Sequence, residues 1–176
     1  FWAEVADETV ARIAADERRR VLASGCGTVS VALADPASLP RGTPRGEAPP
    51  VETTRALFKE LFHRGERYEQ TGGVHAAALT DGHALLGHAE DIGRHNAVDK
   101  VIGGALLGGR DPAGLGLLVT GRISAELAFK AARAGLAWVA TPSVPSTLAL
   151  TIARRAGVIL VGRAVSGHPE VHRGDA

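Results

Sequence analysis

Residues 115–164, LGLLVTGRISAELAFKAARAGLAWVATPSVPSTLALTIARRAGVILVGRA, decide the fold class of this chain. Three short apolar runs, LGLLVTG, LAWVATP and VILVGRA, are typical of buried strands. Between them lie two segments with helical spacing, which end at Gly135 and Gly157. Because such short strand-helix-strand units join parallel strands by right-handed crossovers, the stretch predicts an α/β fold with a layered, mostly parallel sheet and flanking helices.

The residues just before this stretch predict a hairpin followed by a helix. VHAAALT (74–80) and HALLGHA (83–89) are short apolar runs that flank Asp81-Gly82, a pair suited to a two-residue hairpin turn. HNAVDKVIGGALL (95–107) has apolar residues at helical spacing. These elements extend the predicted sheet and add one helix to it.

Composition changes divide the chain into four parts. Residues 53–68 pair Leu57 with Leu61 and Phe58 with Phe62, as expected of an amphipathic helix. A stretch dense in proline and glycine precedes this helix, and the carboxyl-terminal residues show no regular pattern. We therefore expect an amino-terminal segment with a cysteine loop (1–35), a linker or loop (36–50), an α/β domain (51–165) and an irregular tail (166–176).

Composition also excludes several classes of protein. The chain has 176 residues, 45% of them hydrophobic, and 20 Lys and Arg against 19 Asp and Glu, which indicates one globular domain without the positive charge of a non-specific nucleic-acid binder. No apolar run reaches the roughly 18 residues of a membrane span, and no secretory signal is present, so a soluble, cytoplasmic protein is expected. The chain contains no methionine, which indicates processing or a longer parent chain. Its single cysteine, Cys26, excludes an intramolecular disulfide and a multi-cysteine metal site.

Three polar segments follow predicted strands: EDIGRHN (90–96), TGRISAE (120–126) and TPSVPST (141–147). In open α/β sheets, ligands bind beyond the carboxyl ends of the strands, where the next helix presents free backbone N–H groups. We therefore expect the three segments to meet at one edge of the sheet and to form a binding site there.

EDIGRHN has two interpretations. In the functional one, the planar guanidinium of Arg94 binds phosphate or carboxylate, Gly93 allows close backbone approach, and His95 or Asn96 donates to the ligand. In the structural one, Asp91 or Asn96 caps the helix, and Glu90, Arg94 and Lys100 form solvated ion pairs.

Two further segments also have both a functional and a structural interpretation. In TGRISAE, Arg122 beside a helix amino terminus suits an anion, whereas Gly121 and the N-cap candidate Ser124 also suit an ordinary strand-to-helix turn. In TGGVHAAALT, the paired glycines allow a bend or close ligand approach, and His75 is either a ligand contact or a hydrogen-bonded core residue.

Taken in order, TGGVHAAAL, EDIGRHNAVDKVIGGAL, TGRISAE, KAARAG, TPSVPSTLA and GVILVGRA resemble the formate dehydrogenase accessory sulfurtransferases, the FdhD family. The resemblance runs from about residue 17 to residue 165. It implies a protein that takes sulfur from a cysteine desulfurase, carries it as a persulfide, and passes it to the molybdenum or tungsten bis-guanine-dinucleotide pterin cofactor for the formate dehydrogenase apoenzyme. It also implies a homodimer, a cytidine deaminase-like core and a further amino-terminal portion in other family members.

The resemblance implies roles for particular residues. Cys26 would carry the sulfur, and GDP or GMP would mimic the cofactor. Phosphate and base contacts would come from the polar segments and the helix amino termini. The implied contact residues are Thr71, Gly72, Gly73, His75, Glu90, Asp91, Gly93, Arg94, His95, Asn96, Gly121, Arg122, Ser124, Ser143 and Ser146.

The zinc site of the deaminases is missing from the sequence. A zinc deaminase needs His-x-Glu and Pro-Cys-x-x-Cys. Here His75 is followed by two alanines, and Pro142 is followed by SVPS, so the glutamate and both thiolates are absent. Serine hydroxyls are poor zinc ligands, so we expect no zinc and no deaminase chemistry, with Ser143 or Ser146 as a helix cap instead.

The cysteine loop departs from the family pattern Cys-Gly-x-Cys-Gly. This chain reads Cys26-Gly27-Thr28-Val29-Ser30, so resolution of a persulfide by an internal disulfide is closed to it. One cysteine still suffices to accept a sulfane sulfur and release it, and the nearby arginines 18–20 would favour its thiolate. Two alternatives remain open: a cofactor-binding chaperone without sulfur transfer, and a hydrolase or nucleotide-binding enzyme that uses His75, Asp91 and His95.

Overall fold

A computed structural model describes residues 7–8, 42, 46–65 and 70–173 of the chain. Cys26, the arginines 18–20 and most of the predicted amino-terminal segment and linker lie outside the described residues. In chain order the elements are α1 (Val51–Arg64), β1 (His75–Thr80), β2 (Leu85–Asp91), α2 (Arg94–Leu107), β3 (Gly116–Val119), α3 (Ala125–Arg133), β4 (Trp138–Ala140), α4 (Thr147–Ala156), β5 (Ile159–Gly162) and β6 (Glu170–His172). Within the described part of the chain, no helix is long and apolar enough to cross a membrane.

The six strands form one sheet in the order β2-β1-β3-β4-β5-β6. The pairings β3–β4 and β4–β5 are parallel, and the pairings of β1 with β2, β1 with β3, and β5 with β6 are antiparallel. The prediction of an α/β fold is confirmed, but the sheet is mixed rather than mostly parallel. The reason is that β1 runs against both β2 and β3, and that β6 runs against β5.

Alternate residues of each strand face opposite layers of the protein. On one face, Leu79, Leu117, Val119, Val139 and Leu160 pack against the apolar sides of α2, α3 and α4. On the other face, α1 supplies an apolar cluster of its own, which packs on the opposite side of the sheet and consists of Leu57, Phe58 and Leu61. The chain therefore has three layers, and the predicted flanking helices are confirmed.

Trp138 of β4 lies against the backbone of β3. It pairs with Gly116 in the parallel register, and a Cβ at Gly116 would overlap the indole ring. This position tolerates only hydrogen as a side chain, because the two strands are held at the fixed spacing of the sheet.

Two local predictions are wrong. The hairpin loop has four residues rather than two, since β1 ends at Thr80 and β2 begins at Leu85, and the Asp81 carboxylate accepts the N–H groups of His83 and Ala84 across it. The tail is not irregular throughout, because Glu170–His172 forms an edge strand against β5. The edge strand depends on pairing with β5, which local residue preferences do not reveal.

Candidate functional site

Five strand ends meet at one edge of the sheet, which we call the rim. The carboxyl ends of β2, β3, β4 and β5 lie there together with the amino end of β1, as the pairings of His75 with Asp91 and of Ala77 with Val119 show. Helices α2, α3 and α4 all begin at the rim, at residues 94, 125 and 147. The predicted convergence of the three polar segments on one edge is therefore present in the fold.

Backbone and hydroxyl bonds lock the loops of the rim together. Ile123 and Pro145 form an isolated parallel bridge, in which the Ser146 N–H donates to the Ile123 carbonyl at 2.9 Å. The fully buried Thr141 hydroxyl donates to the Gly121 carbonyl at 2.7 Å and accepts the Ser143 N–H at 3.0 Å. These bonds hold TGRISAE and TPSVPST in a fixed relation.

Asp91 organises the start of α2. Its Oδ1 accepts the Gly93 N–H at 2.8 Å and the Asn96 amide at 3.1 Å, and its Oδ2 pairs with Lys100 Nζ at 2.6 Å. Lys100, the Gly93 amide and Asn96 together hold the pKa of Asp91 down to about 2. The N-cap position itself is Gly93, without a side-chain cap, so the prediction that Asp91 or Asn96 caps the helix is wrong. Asp91 instead ties the loop before α2 to the helix.

Arg94 lies at the centre of the rim. A Cβ placed on Gly121 would be 3.0 Å from Arg94 Cδ and 3.2 Å from the His75 ring, so these three residues are in close contact. The Nε of Arg94 is buried and has no hydrogen-bond partner among the described residues. A buried, unpartnered guanidinium N–H is costly and marks a place where a ligand acceptor would stabilise the protein.

Burial favours the neutral form of two histidines at the rim. Burial, and secondarily the charge of Arg94, lower the pKa of His75, whose Nδ1 is 3.5 Å from the Thr120 hydroxyl. Burial also lowers the pKa of His95, and the carboxylate of Glu126 only partly opposes it. In a neutral imidazole, one ring nitrogen donates a hydrogen bond and the other accepts one.

His95 is bonded to the first residue before α3. Its Nε2 lies 2.7 Å from the Ser124 hydroxyl, and its Nδ1 is 3.7 Å from Glu126 Oε2. The same Ser124 oxygen accepts the Leu127 N–H as the helix N-cap. Ser124 thus caps α3 while it contacts His95, so the structural interpretation of Ser124 as the N-cap is confirmed.

The other predicted contact residues lie at the same rim. Ser146 caps α4 by accepting the Ala149 N–H at 3.2 Å, and Arg122 is exposed beside α3. Thr71, Gly72 and Gly73 are exposed and lead into β1, with Gly72 at φ +59°. Glu90 ends β2 beside Asp91, and its backbone carbonyl accepts Lys100 at 3.1 Å.

Two residues of the rim were missed in the sequence. Thr141 connects two loops by hydrogen bonds. The sequence signal that could have revealed this role is a threonine directly after a buried strand. Ile92 is 82% exposed between β2 and α2, an apolar side chain in an otherwise polar connection. Within the described residues, no group of three His, Cys, Asp or Glu side chains could hold a metal ion.

The fold is that of an α/β protein whose rim is lined by backbone amides, hydroxyls and arginines. The chain belongs to the FdhD/NarQ family, whose model matches residues 2–176. This confirms the family resemblance seen in the sequence.

Curated relatives support the family assignment. The chain is 42% identical over 152 residues to the sulfur carrier protein FdhD of Streptomyces coelicolor. This match covers 83% of this chain and 54% of the relative. It is 45% identical over 141 residues to the protein of the same name from Mycobacterium tuberculosis, covering 77% of this chain and 50% of the relative. The chain therefore spans about half the length of the curated relatives it matches.

Solved structures show the same fold. A protein described as a formate dehydrogenase accessory protein from Desulfotalea psychrophila superposes with a TM-score of 0.70 at 29% identity, over 82% of this chain and 60% of that one. A diaminohydroxyphosphoribosylaminopyrimidine deaminase/5-amino-6-(5-phosphoribosylamino)uracil reductase from Thermotoga maritima gives a TM-score of 0.51 at 13% identity, over 65% of this chain and 37% of that one. The second similarity is one of fold alone.

Proposed function

We propose that this chain is a sulfur carrier that accepts persulfide sulfur on Cys26 from a cysteine desulfurase. It passes that sulfur to the molybdenum or tungsten bis-guanine-dinucleotide pterin cofactor of formate dehydrogenase. Its partners are the desulfurase and the formate dehydrogenase apoenzyme, and it acts in the cytoplasm as a homodimer. Support comes from the relatives named sulfur carrier protein FdhD and from the rim.

The proposal rests on the buried, unpartnered Nε of Arg94, which begins α2 and lies against Gly121 in the loop before α3. Helix amino termini and guanidinium groups both favour phosphate. A guanine-dinucleotide cofactor carries a diphosphate, which would accept from Arg94 and lie across the starts of α2, α3 and α4. The exposed Ile92 offers an apolar surface for a base beside it.

The sulfur transfer has two steps. The Cys26 thiolate attacks the terminal sulfur of the desulfurase persulfide, an S–S bond forms on Cys26, and the desulfurase cysteine leaves as a thiolate. The terminal sulfur then moves to the reduced metal of the cofactor, which supplies two electrons, and Cys26 leaves as a thiolate. No second cysteine of this chain is needed, because the metal rather than a thiol releases the persulfide.

We also propose that the core is a cytidine deaminase-like core without its zinc site. The fold similarity to the Thermotoga deaminase/reductase supports this. Where a deaminase has cysteines, this chain has Ser146 as the cap of α4 and Ser143 bonded to Thr141. The edge used for zinc chemistry in deaminases would here bind a nucleotide.

Mass spectrometry tests the sulfur step. The purified chain is incubated with a cysteine desulfurase and ³⁴S-labelled cysteine, and we expect one reducible sulfur atom on wild type and none on Cys26→Ser. Unlabelled wild type would contradict the carrier proposal. If Cys26→Ala still supports formate dehydrogenase activity in cells, the chaperone alternative replaces it.

Nucleotide titration tests the rim separately. We expect Arg94→Gln to raise the Kd for GDP at least about tenfold, the loss expected for one hydrogen bond to a charged group. Arg133→Gln, an exposed arginine of α3 away from the rim, is the matched control and should bind as wild type. Equal affinity of Arg94→Gln and wild type for GDP would contradict the proposal that the rim binds the nucleotide.

A further inference from the structure

An open cavity of about 290 Å³ lies between β2 and the second half of α2, apart from the loops that form the rim. Its apolar lining includes Leu79 and Val101, which are almost fully buried, with Leu86 and Ala105 beside them. The volume is near the lower end of the range, about 300–1,000 Å³, of pockets that bind small molecules.

Three glycines line the cavity. Gly87 belongs to β2, Gly104 lies inside α2, and Gly108 follows that helix. A Cβ on Gly104 would meet no heavy atom within 4 Å, so a side chain there would enter open space. Glycine inside a helix is less stable than alanine by about 1 kcal/mol, so folding alone does not favour it at this position.

The polar lining of the cavity is basic. Lys100, Arg110 and His88 line it, and no acidic residue is among the described residues that do. The Arg110 side chain has no hydrogen bond or ion pair with any described residue, whereas Lys100 is shared with Asp91 at 2.6 Å. The cavity therefore presents a positive charge above an apolar floor.

We infer that this cavity binds a small organic anion. Its apolar body lies on Leu79 and Val101, and its carboxylate or phosphate lies between Lys100 and Arg110. The positive charge of Lys100 and Arg110 favours an anion, and the absence of side chains at the glycines leaves space for the apolar part of the ligand.

Lys100 connects the cavity to the rim. Its ammonium group holds Asp91, which in turn holds the Gly93 amide at 2.8 Å and Asn96 at 3.1 Å. An anion that draws Lys100 towards Arg110 weakens the ion pair between Lys100 and Asp91. Binding in the cavity therefore changes the contacts that hold the start of α2. The effect of the bound anion on the rim matters only if the rim binds a nucleotide, as proposed above. Anion binding in the cavity does not depend on that proposed function.

The test is an amide NMR titration of ¹⁵N-labelled protein with phenyl phosphate, benzoate, inorganic phosphate and benzyl alcohol. We expect saturable shifts at Gly87, Gly104 and Gly108 with one or both aromatic anions, at a Kd at least about tenfold below that of inorganic phosphate or benzyl alcohol. The tighter of the two aromatic anions identifies the charged group. No saturable shift at these glycines, or equal binding of benzyl alcohol, would overturn the inference.

Paired variants locate the binding. Gly104→Leu should fill the cavity and abolish binding, whereas Gly103→Leu, at the adjacent helix position where a Cβ also meets no atom within 4 Å, should bind as wild type. Arg110→Gln should raise the Kd about tenfold, and Arg133→Gln should not change it. Circular dichroism confirms that each variant is folded, and binding unchanged in Gly104→Leu would contradict the site. Failure of GDP to bind the rim would leave these results unaffected, so the two proposals fail separately.

Discussion

Thr141→Val tests how the rim is held together. Valine has nearly the shape of threonine, and residue 141 is fully buried, so the change removes the hydroxyl and little else. The Gly121 carbonyl loses its donor at 2.7 Å, and the Ser143 N–H loses its acceptor at 3.0 Å. Each buried group left without a partner costs about 1–3 kcal/mol, and Ser143 is only half-buried, so we expect a loss of about 2–4 kcal/mol in the free energy of unfolding.

Urea denaturation followed by circular dichroism measures this loss, and calorimetry should show Tm lower by about 5–15 °C. The matched control is Thr151→Val, whose exposed hydroxyl donates only to the Thr147 carbonyl of its own helix at 3.3 Å and should change stability by less than about 0.5 kcal/mol. At temperatures where both variants are folded, GDP should bind more weakly to Thr141→Val alone. Equal stability of the two variants would refute the argument that this hydroxyl joins the loops.

Three further predictions concern single positions. Gly121→Ala should weaken GDP binding several-fold in a nucleotide titration, because its Cβ would lie 3.0 Å from Arg94 Cδ, whereas Gly103→Ala should bind as wild type. Gly116→Ala should lower the free energy of unfolding in urea by about 3 kcal/mol or more, since its Cβ would overlap the indole ring on β4. The lowered pKa of Asp91 stabilises the fold above pH 4, and this contribution should be lost as the pH falls from 3.8 to about 2. Asp91→Asn should flatten the pH dependence of unfolding within that window, and an unchanged slope would contradict the assignment.

Most of the helices could be predicted because their information is local. Gly135 and Gly157 adopt φ +70° just after α3 and α4, as expected of helix-ending glycines, and Ser124 and Ser146 cap the same helices. Capping and helical spacing depend on residues within one or two turns, so a single sequence contains them. The same holds for α1, although it begins at Val51 and ends at Arg64 rather than spanning 53–68.

Strand direction and strand neighbours were less predictable. The hairpin was found, but whether β1 or β2 lies next to β3 depends on pairings between residues about forty positions apart, such as Ala77 with Val119. The edge strand Glu170–His172 likewise forms only by pairing with the free edge of β5. Neither residue preference nor periodicity encodes which strand is the neighbour.

The sequence by itself determined the family, the layered α/β class, the caps of α3 and α4, and the expectation that polar loops after the strands share one edge. Only the tertiary structure decided which atoms meet there: Arg94 against Gly121 and His75, Thr141 joining two loops, and Lys100 between the rim and a separate cavity. The physical reason is that hydrogen bonds and close packing act over a few ångströms between residues far apart in the chain. Their partners exist only once the strands are in register.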